Sequence, residues 1–127
     1  MMPTAKAKII VVDDDLDICE LLDMKLRQSD YDVRTAQSGV QALEMMRDLQ
    51  PQLVILDIMM PAMSGMDVLR QMRSEEAIAG IPVILMTSKR QEQDVNTGFA
   101  LGVVDYIIKP FNLRDLVVQA GSVILGN

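Results

Sequence analysis

The chain has 127 residues, half of them apolar, a net charge of −6, one cysteine and no histidine. It is long enough for one domain with a real core and too apolar to be a disordered tail. The missing histidine excludes Ser-His-Asp and Cys-His catalysis and His-ligated zinc, and the acidic balance with no basic run argues against direct nucleic-acid binding.

Residues 1–7, up to Lys8, read as a short disordered lead-in. Ile9-Ile10-Val11-Val12 then forms a first strand that runs into Asp13-Asp14. Ile18, Leu21, Leu22 and Leu26 mark one face of a helix over about 16–29. Asp32 to Ala36 alternates polar and apolar, as an edge strand does. A helix over about 39–49 buries Val40, Leu43 and Met46, and a strand follows at 52–57, ending in Asp57. A helix over about 65–74 turns Val68, Leu69 and Met72 inward. Ile81-Pro82 opens a strand through Val83-Ile84-Leu85-Met86 into Thr87-Ser88, proline being tolerated at a strand start. A weak helix covers about 91–101, a strand 103–108 ends before Lys109-Pro110, and a last helix, about 112–125, carries Leu113, Leu116, Val117, Ala120 and Ile124 on one side. The alternation gives one domain of (βα)5 type, a doubly wound sandwich with a parallel sheet in the order 2-1-3-4-5.

Ligands of such sheets bind at the carboxyl ends of the strands. Asp13, Asp14, Asp57, Thr87 and Lys109 all stand at those ends. Asp57 closes a buried strand and needs a compensating partner, because an unpaired buried charge is costly. Asp13 and Asp14 cannot serve unaided, since like charges resist joint ionisation. A hard divalent cation resolves the conflict, and an oxygen donor set with room for water and phosphate suits Mg2+, with Mn2+ as a substitute. Lys109 supplies a second positive charge, and a cis Lys109-Pro110 bond would aim its ammonium inward. Thr87 is a candidate donor to a phosphoryl oxygen. Asp15 or Asp17 reads as a helix cap. An EF-hand is excluded, because Ile18 and Met24 stand where that loop needs Gly and Glu.

These residues resemble the receiver domain of bacterial two-component response regulators, of the chemotaxis-regulator type. The matching pieces are V-V-D-D-D at 11–15, L-D-I-M-M-P at 56–61, M-T-S at 86–88 and D-Y-I-I-K-P-F at 105–111, with Gly39 and Gly65 at helix starts. The resemblance implies a flavodoxin-like fold and a phosphoprotein. It implies Asp57 as phosphoacceptor and Asp13, Asp14, Asp57 and the Met59 backbone carbonyl as Mg2+ ligands. Lys109 would neutralise the transferring phosphoryl oxygens, and Thr87 and Tyr106 would form a switch pair. The output would appear on the fourth helix, fifth strand and fifth helix. Gly98 weakens the fourth helix, which fits a bistable element beside a switch. Met59 and Lys89 would modulate the lifetime of the phosphoryl group, and an apolar Met59 predicts slow self-dephosphorylation.

The implied partners are a sensor histidine kinase or histidine phosphotransfer protein, an output protein the sequence does not name, and a second copy through the output face. No direct nucleic-acid or membrane contact is expected. The apolar stretches are far shorter than a membrane span, and the lone Cys19, read as a small buried hydrophobe, fits a reducing cytoplasm. A stand-alone regulator and a receiver cut from a longer protein both fit. Two other function classes compete: an aspartate-nucleophile phosphatase built on Asp13-x-Asp15, and a docking module that is never phosphorylated.

Overall fold

The computed structural model describes residues 5–88 and 92–126. Along them run β1 (Lys8–Val12), α1 (Leu16–Gln28), β2 (Asp32–Ala36), α2 (Gly39–Leu49), β3 (Leu53–Asp57), α3 (Gly65–Ser74), β4 (Val83–Thr87), α4 (Glu92–Ala100), β5 (Asp105–Ile108) and α5 (Leu113–Leu125). The strands pair in parallel in the order β2-β1-β3-β4-β5, as expected. Ile9 to Val12, all of β3 and all of β4 are buried on both faces, which is why they read as unbroken Val, Ile and Leu runs. One face of the sheet packs against α1 and α5 through Cys19, Leu22, Leu26, Leu116 and Ala120. The other packs against α2 and α3 through Ala42, Leu43, Met46, Val68, Leu69 and Met72. No helix among the described residues is long and apolar enough to cross a membrane.

Pairing begins at the edge of the expected lead-in. The Ala7 carbonyl accepts from the Asp32 N–H, and Lys8 sits opposite Asp32. Caps set the helix starts: the Asp15 carboxylate accepts from the Asp17 and Ile18 N–H groups, and Ser64 and Asp67 form a reciprocal capping box on α3.

Two expected inward positions face outward instead. Val40 is 61% exposed, because the buried face of α2 runs through Gly39, Ala42, Leu43 and Met46. Leu21 is 41% exposed, because the α1 face rotates toward Cys19, Leu22 and Leu26. Met60 and Met66 are buried and Met63 packs against the core, as filler of irregular space. The expected α4 start at Gln91 lies outside the described residues.

Candidate functional site

The carboxyl ends of β1, β3, β4 and β5 bring the predicted side chains together. Asp13 directly follows β1, and its N–H donates to the Ala36 carbonyl at 3.0 Å. One of its carboxylate oxygens accepts from the Asp15 N–H at 3.0 Å. Its carbonyl accepts from the Cys19 thiol at 3.3 Å, a contact that the reading of Cys19 as a plain hydrophobe missed. Cys19 is buried, and burial pushes its thiol up from its ordinary pKa.

Asp57 is the last residue of β3 and is only 4% exposed. The chain then doubles back so that the Gly65 N–H donates to the Ile58 carbonyl at 2.9 Å. A β-carbon at Gly65 would collide with the Asp57 carbonyl oxygen and meet Ile58 Cα at 2.8 Å, so only glycine lets α3 start this close beneath the site. The Met59 backbone N–H favours the charged form of the Asp57 carboxylate. No sequence pattern announces that influence, because it depends on the turn after β3.

Lys109 reaches in from the end of β5. Its Nζ lies 2.8 Å from Asp13 Oδ2 and 3.2 Å from Asp57 Oδ1. The Lys109-Pro110 bond is cis. The Lys109 N–H donates to the Thr87 carbonyl at 2.7 Å, which ties the ends of β4 and β5 together. Thr87 is buried at the last position of β4, and its hydroxyl donates to the Ser88 carbonyl at 3.1 Å.

Asp14 is exposed, yet one of its carboxylate oxygens lies within 4.8 Å of ligand atoms on both Asp13 and Asp57. Three carboxylates thus cluster where Asp13 and Asp57 share one ammonium. The consequence falls on Asp57, whose pKa rises from 3.8 to about 6. Burial is the largest cause and the Asp13 charge the second, with Lys109 and the Met59 N–H pulling the other way. Burial also pulls on Lys109, but its hydrogen bond to Asp13 and the charges of Asp57 and Asp13 outweigh it, so its pKa rises. A divalent cation fits this set: the donors are hard oxygens, and one ammonium does not balance them.

Tyr106 sits opposite Leu85 in the β4–β5 register, and Thr87 lies two residues beyond Leu85. Alternation along strands places Thr87, Leu85 and Tyr106 on the same face of the sheet. The Tyr106 ring packs edge-on against Phe99, with centroids 4.7 Å apart. The Met59 side chain is 67% exposed beside the acidic cluster. Lys89 lies outside the described residues.

The family model of the response regulator receiver domain matches residues 9–120. The DNA-binding response regulator MtrA of Mycobacterium tuberculosis is 41% identical over 118 residues, which are 93% of this chain and 50% of that protein. The chain spans about half the length of the curated relatives it matches. Among solved structures, the chemotaxis protein CheY4 of Vibrio cholerae superposes with a TM-score of 0.85 at 28% identity, covering 91% of this chain and 97% of that one. The non-phosphorylated HemR receiver domain of Leptospira biflexa gives 0.85 at 30% identity and covers 94% of each chain. An acidic cluster at the carboxyl ends of a 2-1-3-4-5 sheet, together with these matches, makes the chain a member of the response regulator receiver family of two-component signalling.

Proposed function

We propose that this domain is a phosphoacceptor switch in which Asp57 takes a phosphoryl group from the phosphohistidine of a sensor kinase or phosphotransfer protein. The observation that carries this reading is the buried Asp57 carboxylate held against the Lys109 ammonium, with Asp13 and Asp14 alongside. A carboxylate oxygen of Asp57 forms the new O–P bond while the N–P bond of the donor breaks. The electron pair of that bond leaves on the partner's imidazole. The histidine must be the partner's, because this chain has none.

Asp57 is held for this step by Lys109, and the Met59 N–H favours its charged form. The Lys109 ammonium is free to follow charge from the carboxylate to the phosphoryl oxygens, the electrostatic positioning that phosphoryl transfer requires. Mg2+, or Mn2+ in its place, would be held by Asp13, Asp14, Asp57 and the Met59 carbonyl, and would add positive charge against the phosphoryl oxygens. Thr87 is the hydroxyl that a phosphoryl group at Asp57 would draw, and Tyr106 shares its sheet face. The pair would transmit the event to the surface of α4, β5 and α5, where an output protein or a second copy docks. The catalysis is confined to the domain's own phosphorylation and dephosphorylation, and a cytoplasmic setting fits the single reduced cysteine.

Intact mass after incubation with acetyl phosphate and Mg2+ tests the reading. One added phosphoryl group is expected, absent in Asp57→Asn and in EDTA. Uptake that survives in Asp57→Asn, or turnover of phosphate esters by that variant, would favour a phosphatase centred on Asp13.

A further inference from the structure

Helix α4 carries a glycine in its interior, Gly98, where alanine would favour the helix. The structure gives the glycine a reason. A β-carbon at Gly98 would run into the hydroxyl oxygen of Tyr106, and would meet Leu85 Cδ1 at 2.8 Å and Tyr106 Cζ at 3.1 Å. The missing side chain is therefore a notch in α4, and the phenol end of Tyr106 lies in it. The next residue, Phe99, closes the notch by packing edge-on against the same ring.

The end of α4 beside this notch is fixed. The Gly98 carbonyl accepts from the Leu101 and Val103 N–H groups at 3.0 and 3.1 Å, and the Val104 N–H donates to the Val83 carbonyl at 2.9 Å. Arg73, at the end of α3, donates from Nε to the Leu101 carbonyl at 2.7 Å and, more weakly, from Nη2 to the Gly102 carbonyl at 3.4 Å. Its Nη1 donates to the Ala79 and Ile81 carbonyls at 2.8 and 3.0 Å. One guanidinium thus ties the α4–β5 turn to the lead-in of β4. If the notch were filled, the far end of an aromatic side chain would yield before a backbone held this way.

We propose that Gly98 is the positioning residue that sets the resting place of Tyr106, and that any β-carbon there expels the ring from its seat on α4. The inference rests on the reading of Thr87 and Tyr106 as a switch pair and deepens it. Ring and helix become one variable: a ring that leaves the notch vacates space against α4, and a lifted α4 releases the ring.

The chain has two tyrosines and no tryptophan, so fluorine NMR of fluorotyrosine-labelled protein gives one signal per ring, assigned with Tyr31→Phe. Gly98→Ala is expected to move the Tyr106 signal, leave that of Tyr31 in place and, in unlabelled protein, abolish the Phe99–Tyr106 ring NOE. An unmoved Tyr106 signal with the NOE intact overturns the proposal. Urea unfolding decides the matter should Gly98→Ala fold poorly, because Tyr106→Phe removes the oxygen that the notch accommodates. The drop in midpoint caused by Gly98→Ala is expected to shrink or reverse in the Tyr106→Phe background, and an equal drop in both backgrounds overturns the seat. Wild-type protein phosphorylated by acetyl phosphate with Mg2+ separates the two readings. A Tyr106 signal that ignores phosphorylation but moves in Gly98→Ala overturns the switch pair and leaves the seat standing.

Discussion

The two ends of the sheet each draw in charged side chains, and they treat them in opposite ways. Below the amino end of β4, the half-buried Arg73 guanidinium gives its protons to the carbonyls of Ala79, Ile81, Leu101 and Gly102 and, among the described residues, meets no carboxylate. Burial lowers its pKa, but its fork is filled with acceptors and nothing at that end is in conflict. At the carboxyl end, three carboxylates cluster and two of them contact the one ammonium, and burial, followed by the Asp13 charge, raises the Asp57 pKa to about 6. The satisfied charge is architecture, joining α3 to two loops. On the proposed reading, the unbalanced charge is what a divalent cation would offset at the phosphoacceptor end.

Arg73→Ala should break the comparison most severely. It strands several carbonyls together, and a loss of about 3 kcal/mol is expected, much the same across neutral pH and with or without Mg2+. Urea denaturation at two pH values checks this, and Arg73→Lys should restore only a small part. A loss that Mg2+ reverses would mean that the two ends are not independent.

Asp57→Asn should do the opposite and stabilise the metal-free protein, by up to about 3 kcal/mol at roughly pH 8. The sign follows from a folded pKa of about 6 against 3.8 in the unfolded chain. Above the folded value the native state bears the whole cost of the charge. As the pH falls through that value the native carboxyl takes a proton and the cost fades, so the advantage of asparagine should vanish towards the unfolded value. A gain that stays constant over this window would contradict an electrostatic origin.

The smallest effect is kinetic. Met59, 67% exposed and apolar, offers no hydrogen bond to a water approaching the phosphoryl group. Loss of that group should be slow, and Met59→Asn should hasten it roughly tenfold, the worth of about 1.4 kcal/mol in the barrier. Decay of the phosphorylated mass over time measures it, and identical decay in both proteins would remove Met59 from the account.

Much of this was legible in the sequence, for identifiable reasons. Strands buried on both faces spell themselves as Val, Ile and Leu runs, so β1, β3 and β4 and the acidic or hydroxyl residues at their ends stood out. The fifth strand is shorter than the 103–108 expected: Val103 and Val104 look like strand, but β5 spans Asp105–Ile108, and only the Val104 N–H reaches β4, at the Val83 carbonyl. The inner face of α2 was read out of phase because Gly39 and Ala42, which form it, carry little hydrophobic signal, while the exposed Val40 carries much. Arg73 was illegible altogether: its partners are backbone carbonyls, and no residue type announces those. Gly98 was read as a weakness of α4, since a close approach by Tyr106 can be seen only once β5 is set beside the helix. Side-chain chemistry at strand ends shows in a sequence, whereas contacts made by backbone or by a missing side chain do not.

The central claim, that the carboxyl end awaits a cation, is tested most directly by the thermal midpoint at about pH 8 in EDTA and in excess Mg2+, for wild type and Asp57→Asn. The account predicts a midpoint that rises with Mg2+ in the wild type and rises much less in Asp57→Asn, which starts higher. A wild-type midpoint indifferent to Mg2+, or an equal gain in both proteins, would contradict it.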